Sequence, residues 1–102
     1  MEMDVIREAA KKRILFLPHA VRQMSRPDRM ITPAEVRSVI MDGEIIEDYP
    51  EDPRGSSVLL GRANDDRVIH VVCSPKKDYL AIITAYLPDP TQWSSDFKVR
   101  KV

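Results

Sequence analysis

The chain has 102 residues, 43% apolar and 31% charged, and its 16 basic and 16 acidic residues cancel to a net charge of zero. That length predicts one domain over residues 1–102 that can bury a sizeable core without staples, and the neutral balance argues mildly against a general nucleic-acid coat protein. No stretch approaches the roughly 18 apolar residues of a membrane helix, and Glu2 and Asp4 stand where a signal peptide would carry basic residues, so a cytoplasmic chain without a membrane partner is expected.

Residues 4–12 place Val5, Ile6, Ala9 and Ala10 on one side and predict a first helix. Residues 14–17, Ile-Leu-Phe-Leu, are a short apolar run of strand length. Pro18 opens a second short helix through about Ser25, because the missing proline N–H has no partner in a first turn. Arg26-Pro27-Asp28-Arg29 is a loop. The third helix has the fullest set of signals. Thr32 is its N-cap, Pro33 its first residue, and Glu35 completes a capping box. Val36, Val39 and Ile40 form its buried stripe, and Gly43 ends it.

The chain then turns to strands. Residues 44–49 predict a first strand and 50–56 a loop rich in Pro, Asp and Gly. Residues 57–63, 67–74 and 79–87 read as three consecutive antiparallel strands, joined by Asn64-Asp65-Asp66 and Pro75-Lys76-Lys77-Asp78. A three-residue first turn would set His70 opposite Leu60 and Arg62 opposite Val68. The last two strands are apolar on both faces, as central strands are. The tail from Pro88 to Val102 is expected to run over one face, pinned by Trp93 and Phe97. The fold class is therefore α+β, with two to three N-terminal helices on a four-stranded, mainly antiparallel sheet.

The charges are segregated. Seven basic residues and two acids lie between Arg7 and Arg29, whereas six acids and no base lie between Asp42 and Asp52. Two solvated faces would explain this; a phosphate-binding basic face, with the acidic block kept away from RNA, is the sharper reading. Cys73, the single cysteine, sits in an apolar run and fits a buried small hydrophobe. Two distant histidines and one cysteine do not make a metal constellation, and three glycines make no phosphate loop. No cofactor is expected.

What remains is a set of polar residues among apolar ones. His70 lies within Val68-Ile69-His70-Val71-Val72, an expensive place for an imidazole without a partner. His19 lies at the start of the second helix, Tyr86 ends the last strand, and Arg62 sits in the strand before His70. Trp93, Lys98 and Arg100 lie in the tail. Each has an ordinary reading as a satisfied core residue, a cap, a rim aromatic or a solvated cation. As a set, they match the chemistry of RNA cleavage through the 2′-hydroxyl, which needs a base, an acid and cations for the phosphorane charge. On that reading His70, His19 and Tyr86 are the catalytic candidates, and Arg62, Lys98, Arg100 and Trp93 bind RNA. The two histidines would share one cleft, and the docked tail would bring Lys98 and Arg100 near His70 or Tyr86.

Several motifs carry a resemblance: His19-Ala20 with Met24, Ile31-Thr32 with Glu35-Val36, and the block Gly43-Glu44-Ile45-Ile46-Glu47-Asp48-Tyr49-Pro50. Leu59-Leu60-Gly61, Ile69-His70-Val71-Val72, and Ile83-Thr84-Ala85-Tyr86 with Pro88-Asp89 and Trp93 complete the set. Over roughly residues 14–93 the chain resembles a family of short bacterial proteins that form a domain of unknown function. That family looks like a distant branch of the RelE/ParE-like toxins, often encoded beside zinc-finger antitoxins of the YgiT type. The resemblance implies a RelE-like fold and a toxin of a type II toxin-antitoxin pair. The activity implied is that of a metal-independent endoribonuclease acting on mRNA, held by a cognate antitoxin protein of zinc-finger type. A non-catalytic module that binds protein or RNA is the alternative. The segment Arg26–Met30 is longer than the usual turn between the two helices, which bears on how the helix carrying His19 faces the sheet.

Overall fold

A computed structural model describes residues 1–53, 55–63 and 67–101, without the side chains of Arg62 and Ala63. The element order is α1 (Met3–Lys12), β1 (Ile14–Phe16), α2 (Pro18–Met24), α3 (Pro33–Asp42), β2 (Glu44–Tyr49), β3 (Ser57–Ala63), β4 (Val68–Pro75) and β5 (Leu80–Tyr86). The chain is α+β, but the sheet has five strands in the order β1-β5-β4-β3-β2 and is mixed. The expected count of four is corrected by Ile14–Phe16, which pairs parallel with β5 through Ile14–Leu80, Leu15–Ala81 and Phe16–Ile82. This pairing gives β5 a strand neighbour on each edge, as a central strand has, and Leu80–Ile83 and Ala85 are buried.

Helix α3 starts as its sequence dictates. The Thr32 hydroxyl accepts from the Glu35 amide at 3.1 Å, and the Glu35 carboxylate accepts from the Thr32 amide at 3.0 Å. Its end has a different cause from the one expected. Gly43 is extended (φ −85°), not left-handed. Its value is close approach, since an added Cβ would collide with the Val39 carbonyl oxygen and lie 2.8 Å from the Gly61 carbonyl oxygen.

The helices cover one face of the sheet. Ile6, Ala20, Met24, Val36, Val39 and Ile40 are buried against Val58, Leu60, Ile69, Val71, Leu80 and Ile82. Cys73 belongs to this core, and burial pushes its thiol up to about 12, so it stays an uncharged hydrophobe. Arg67 braces one end of the helical layer. It forms an ion pair with Glu35 at 2.8 Å and donates to the Met30 carbonyl at 3.0 Å and to the Arg29 carbonyl. Met30 has φ +50°, so Arg67 fastens a strained loop residue in place.

The register of β3 with β4 differs by one residue from expectation. His70 is opposite Gly61 and Arg62 opposite Ile69. The last pair, Ala63 with Val68, leaves residues 64–67 between the strands instead of three turn residues. Asn64-Asp65-Asp66 themselves lie outside the described residues. A one-residue shift exchanges the faces of a strand relative to its partner. His70 therefore shares its side of the sheet with Gly61 and Leu59, away from the helices, and not with Leu60.

Candidate functional site

The face opposite the helices is built by a bulge, a glycine and the tail. The register of β2 on β3 shifts between Ile45 and Glu47. Ile45 joins the helical core, while Glu47, opposite Leu59, and Tyr49, opposite Ser57, share the His70 side of the sheet. Gly61 lacks the side chain that would collide with Ile46 Cδ1, so Ile46 lies over it, beside the His70 ring. On β5, Tyr86 is the direct partner of His70.

His70 is fully buried and has partners at both nitrogens. Nε2 is 2.9 Å from the Phe97 carbonyl oxygen, and Nδ1 is 3.3 Å from the Tyr86 hydroxyl. A carbonyl can only accept, so Nε2 carries the proton, and Nδ1 is left to accept from Tyr86. Burial is the main force lowering the His70 pKa, and the Arg100 charge adds to it; the Phe97 bond and Glu47 oppose both. The imidazole is therefore neutral at neutral pH.

The tail is ordered as a small hairpin laid across this histidine. A bridge joins Trp93 to Arg100, and the Ser94 amide donates to the Val99 carbonyl at 2.7 Å. At the turn Phe97 takes φ +60°, at a cost of about 1–2 kcal/mol for an L-residue. This turn brings the Phe97 carbonyl oxygen to the His70 ring. Trp93 is 3% exposed and meets the His70 ring edge-on at a centroid distance of 4.6 Å. The Arg100 guanidinium lies over the indole, 4.6 Å from its ring centroid.

The cations of the tail meet the acids of β2. Lys98 pairs with Glu44 at 2.6 Å, and Arg100 Nε reaches both Glu47 oxygens, at 2.9 and 3.1 Å. The Tyr49 hydroxyl also donates to Glu47. Burial alone would raise the Glu47 pKa, but the bonds from Arg100 and Tyr49 outweigh it and hold the carboxylate ionised. Arg100 is in turn held fully charged, chiefly by Glu47 and Tyr49. Burial raises both Tyr49 and Tyr86, so both phenols stay protonated. A carboxylate, a guanidinium, two phenols and an imidazole thus form one connected cluster. Its outer members are reachable, because the Glu47 and Arg100 side chains are 24% and 56% exposed.

A cleft of about 420 Å³ lies beside the cluster, with Gly61, Val68, His70 and Phe97 in its wall. Among the described residues, Asp42, Glu44 and Asp96 stand around it with one cation, Lys98. Three carboxylates disfavour a phosphate there, so an anion would approach the cluster from the Arg100 side. Among the described residues no three of His, Cys, Asp and Glu are placed to hold a metal ion.

The structure brings His70, Tyr86, Trp93 and Arg100 together. Lys98 is at the edge of the same face, held by Glu44. The shared histidine cleft is not formed. His19 is exposed on α2, whose Ala20 and Met24 enter the helical core on the far side of the sheet from His70. The backbone of Arg62 pairs with Ile69, but its side chain lies outside the described residues, as does the RNA contact expected of it. Two members of the acidic block, Glu44 and Glu47, hold the tail onto this face. Glu47 and Tyr49 were missed as site residues. The signal was their spacing of two in a strand, which puts both on one face, but without the bulge the face could not be assigned.

No curated protein and no solved structure matches the chain. Comparison with protein families matches residues 16–87, a span that includes Glu47, Tyr49, His70 and Tyr86 but not Trp93, Lys98 or Arg100. By that match the chain belongs to the family described as Domain of unknown function (DUF4258).

Proposed function

We propose that the chain is an RNA-cleaving module of toxin type with a RelE-like fold, neutralised in its host by a protein partner, and that the cluster around Arg100 is its site. The observation that supports this reading is the meeting of Glu47, Tyr49, Tyr86, His70 and Arg100 on one face. The Glu47 carboxylate is ionised and exposed enough to take the proton of an RNA 2′-hydroxyl. The 2′-oxygen then forms a bond to phosphorus and the P–O5′ bond breaks. Arg100 bears the added charge on the phosphorane. Once Glu47 holds the 2′-proton it no longer accepts from Tyr49, whose phenol, held protonated, then gives its proton to the departing 5′-oxygen. The products are a 2′,3′-cyclic phosphate and a 5′-hydroxyl. His70 does not touch the substrate. It orients Tyr86 through Nδ1 and anchors the hairpin that carries Arg100 through Nε2.

A second reading, a non-catalytic module that binds RNA or protein, is favoured by one fact: Lys98 and Arg100 already have carboxylate partners. Two measurements on one labelled RNA separate the readings. Cleavage by the wild-type chain that falls about 100-fold or more in Arg100→Ala, with the fold retained, supports the enzyme. Saturable binding without cleavage supports the binding module. Neither binding nor cleavage would remove RNA from the account.

A further inference from the structure

A second concave site lies on the opposite, helical side of the molecule. Ala10 and Lys11 of α1, Ile14 of β1, and Arg37, Ile40 and Met41 of α3 enclose a groove of about 220 Å³. Its floor is apolar. Its two ionisable residues are both cations, and no carboxylate lines it. Another groove beside α1 differs in this respect, because Asp4 and Glu8 stand in it with Lys12 and Lys76. A groove with mixed charges selects no sign of partner, whereas one with a single sign does.

Three further observations bear on the groove. Met41 is 53% exposed although it adjoins buried Ile40, and a thioether side chain adapts to whatever apolar group is placed against it. Arg37 is exposed and has no described partner, and Lys11 is held only by the solvent-exposed Glu8. The groove is also preformed. Arg7 on α1 donates to the Ile40 carbonyl at 3.2 Å and the Gly43 carbonyl at 3.3 Å, fastening the end of α3 to α1. A preformed site avoids the entropy of ordering on binding. Its volume is below the roughly 300 Å³ at which small-molecule pockets begin, so it suits a side-chain anchor or two better than a cofactor.

We propose that this groove docks an acidic amphipathic helix of a partner protein, with apolar anchors one turn apart seated between Lys11 and Arg37 and flanking carboxylates paired with those cations. This is the helix-in-groove mode of recognition. It is independent of the RNA-cleaving reading, because none of its residues belongs to the cluster around Arg100.

The test uses the full chain and two labelled helical peptides of about 15 residues, each with leucines at positions i and i+4. One peptide is flanked by glutamates, the other by lysines. The glutamate peptide is expected to bind saturably and to shift the amide signals of Ala10, Ile14 and Met41. The lysine peptide should bind at least about tenfold more weakly, and Arg37→Glu should cost the glutamate peptide about tenfold. Arg37 is exposed, so its replacement should leave the melting curve unchanged. As a second, independent variant, Met41→Asp should also weaken binding. Equal binding of the two peptides, shifts confined to another surface, or no saturable binding would overturn the proposal.

Discussion

At the residue scale, His70 explains why a polar side chain persists in a strand of Val and Ile. It is fully buried with both nitrogens bonded, so the desolvation that makes a lone buried imidazole costly is met by Phe97 and Tyr86. The burial that lowers its pKa also sets a pH dependence. Because the folded value lies below the ordinary 6.5, the unfolded chain takes up the proton first. The stability this histidine supports is complete above about pH 6.5 and is lost as pH falls from there towards the folded value. A urea titration at several pH values should show the unfolding free energy declining through that window, and less so in His70→Asn. The Ala variant should lose about 2–4 kcal/mol at pH 7, from two broken hydrogen bonds and a cavity. An unchanged denaturation midpoint would mean that the tail is not anchored at this ring.

The element scale shows what the sequence could and could not carry. Helix α3 and strands β2 and β3 were legible to the residue, because capping boxes, proline at a first turn and turn-rich loops act locally. The parallel partner of β5 was not, since nothing within Ile14–Phe16 records which strand it will meet. The face of His70 was misread for the same kind of reason. It depends on one residue in a turn, and a shift of one exchanges the two faces. The tail was half legible. Trp93 indicated docking, but the ion pairs with Glu44 and Glu47 depend on the bulge in β2. Trp93→Ala should therefore cost about 3–5 kcal/mol and release the hairpin. Fast amide exchange at Ser94 and Lys101 would check this, whereas protection kept at the wild-type level would show the hairpin holding without the indole. Arg67 was missed altogether because its partners, Glu35 and the Met30 carbonyl, are distant in sequence. Arg67→Ala should destabilise by about 1–3 kcal/mol. Burial opposes ionisation of Glu35, but the bonds from Arg67 and Thr32 prevail and hold its pKa below 4.5. Its contribution is thus present above about pH 4.5 and is lost as pH falls further. A double-mutant cycle with Glu35→Gln should give a coupling that disappears in acid; a coupling constant with pH would reject the pair.

Across the whole molecule, the two sides of the sheet have separate tasks. One holds the helices and the core. The other holds a cluster of a carboxylate, a guanidinium, two phenols and an imidazole under a tail hairpin. The segregated charges in the sequence are partly consumed within the fold, since the acids of β2 hold the cations of the tail. This gives a cluster close to neutral overall that still carries a local base and a local cation. The cluster was only partly legible from sequence, because Glu47 and Tyr49 resembled members of a solvated acidic run until the bulge set their face. The measurement that tests the account most directly is the chemistry of the RNA ends left by the purified chain in the presence of a chelator, for wild type and Glu47→Gln. The account predicts 2′,3′-cyclic phosphate and 5′-hydroxyl ends from the wild type, with cleavage reduced about 100-fold or more in the variant. Intact RNA with the wild-type chain, or equal cleavage by both, would contradict it.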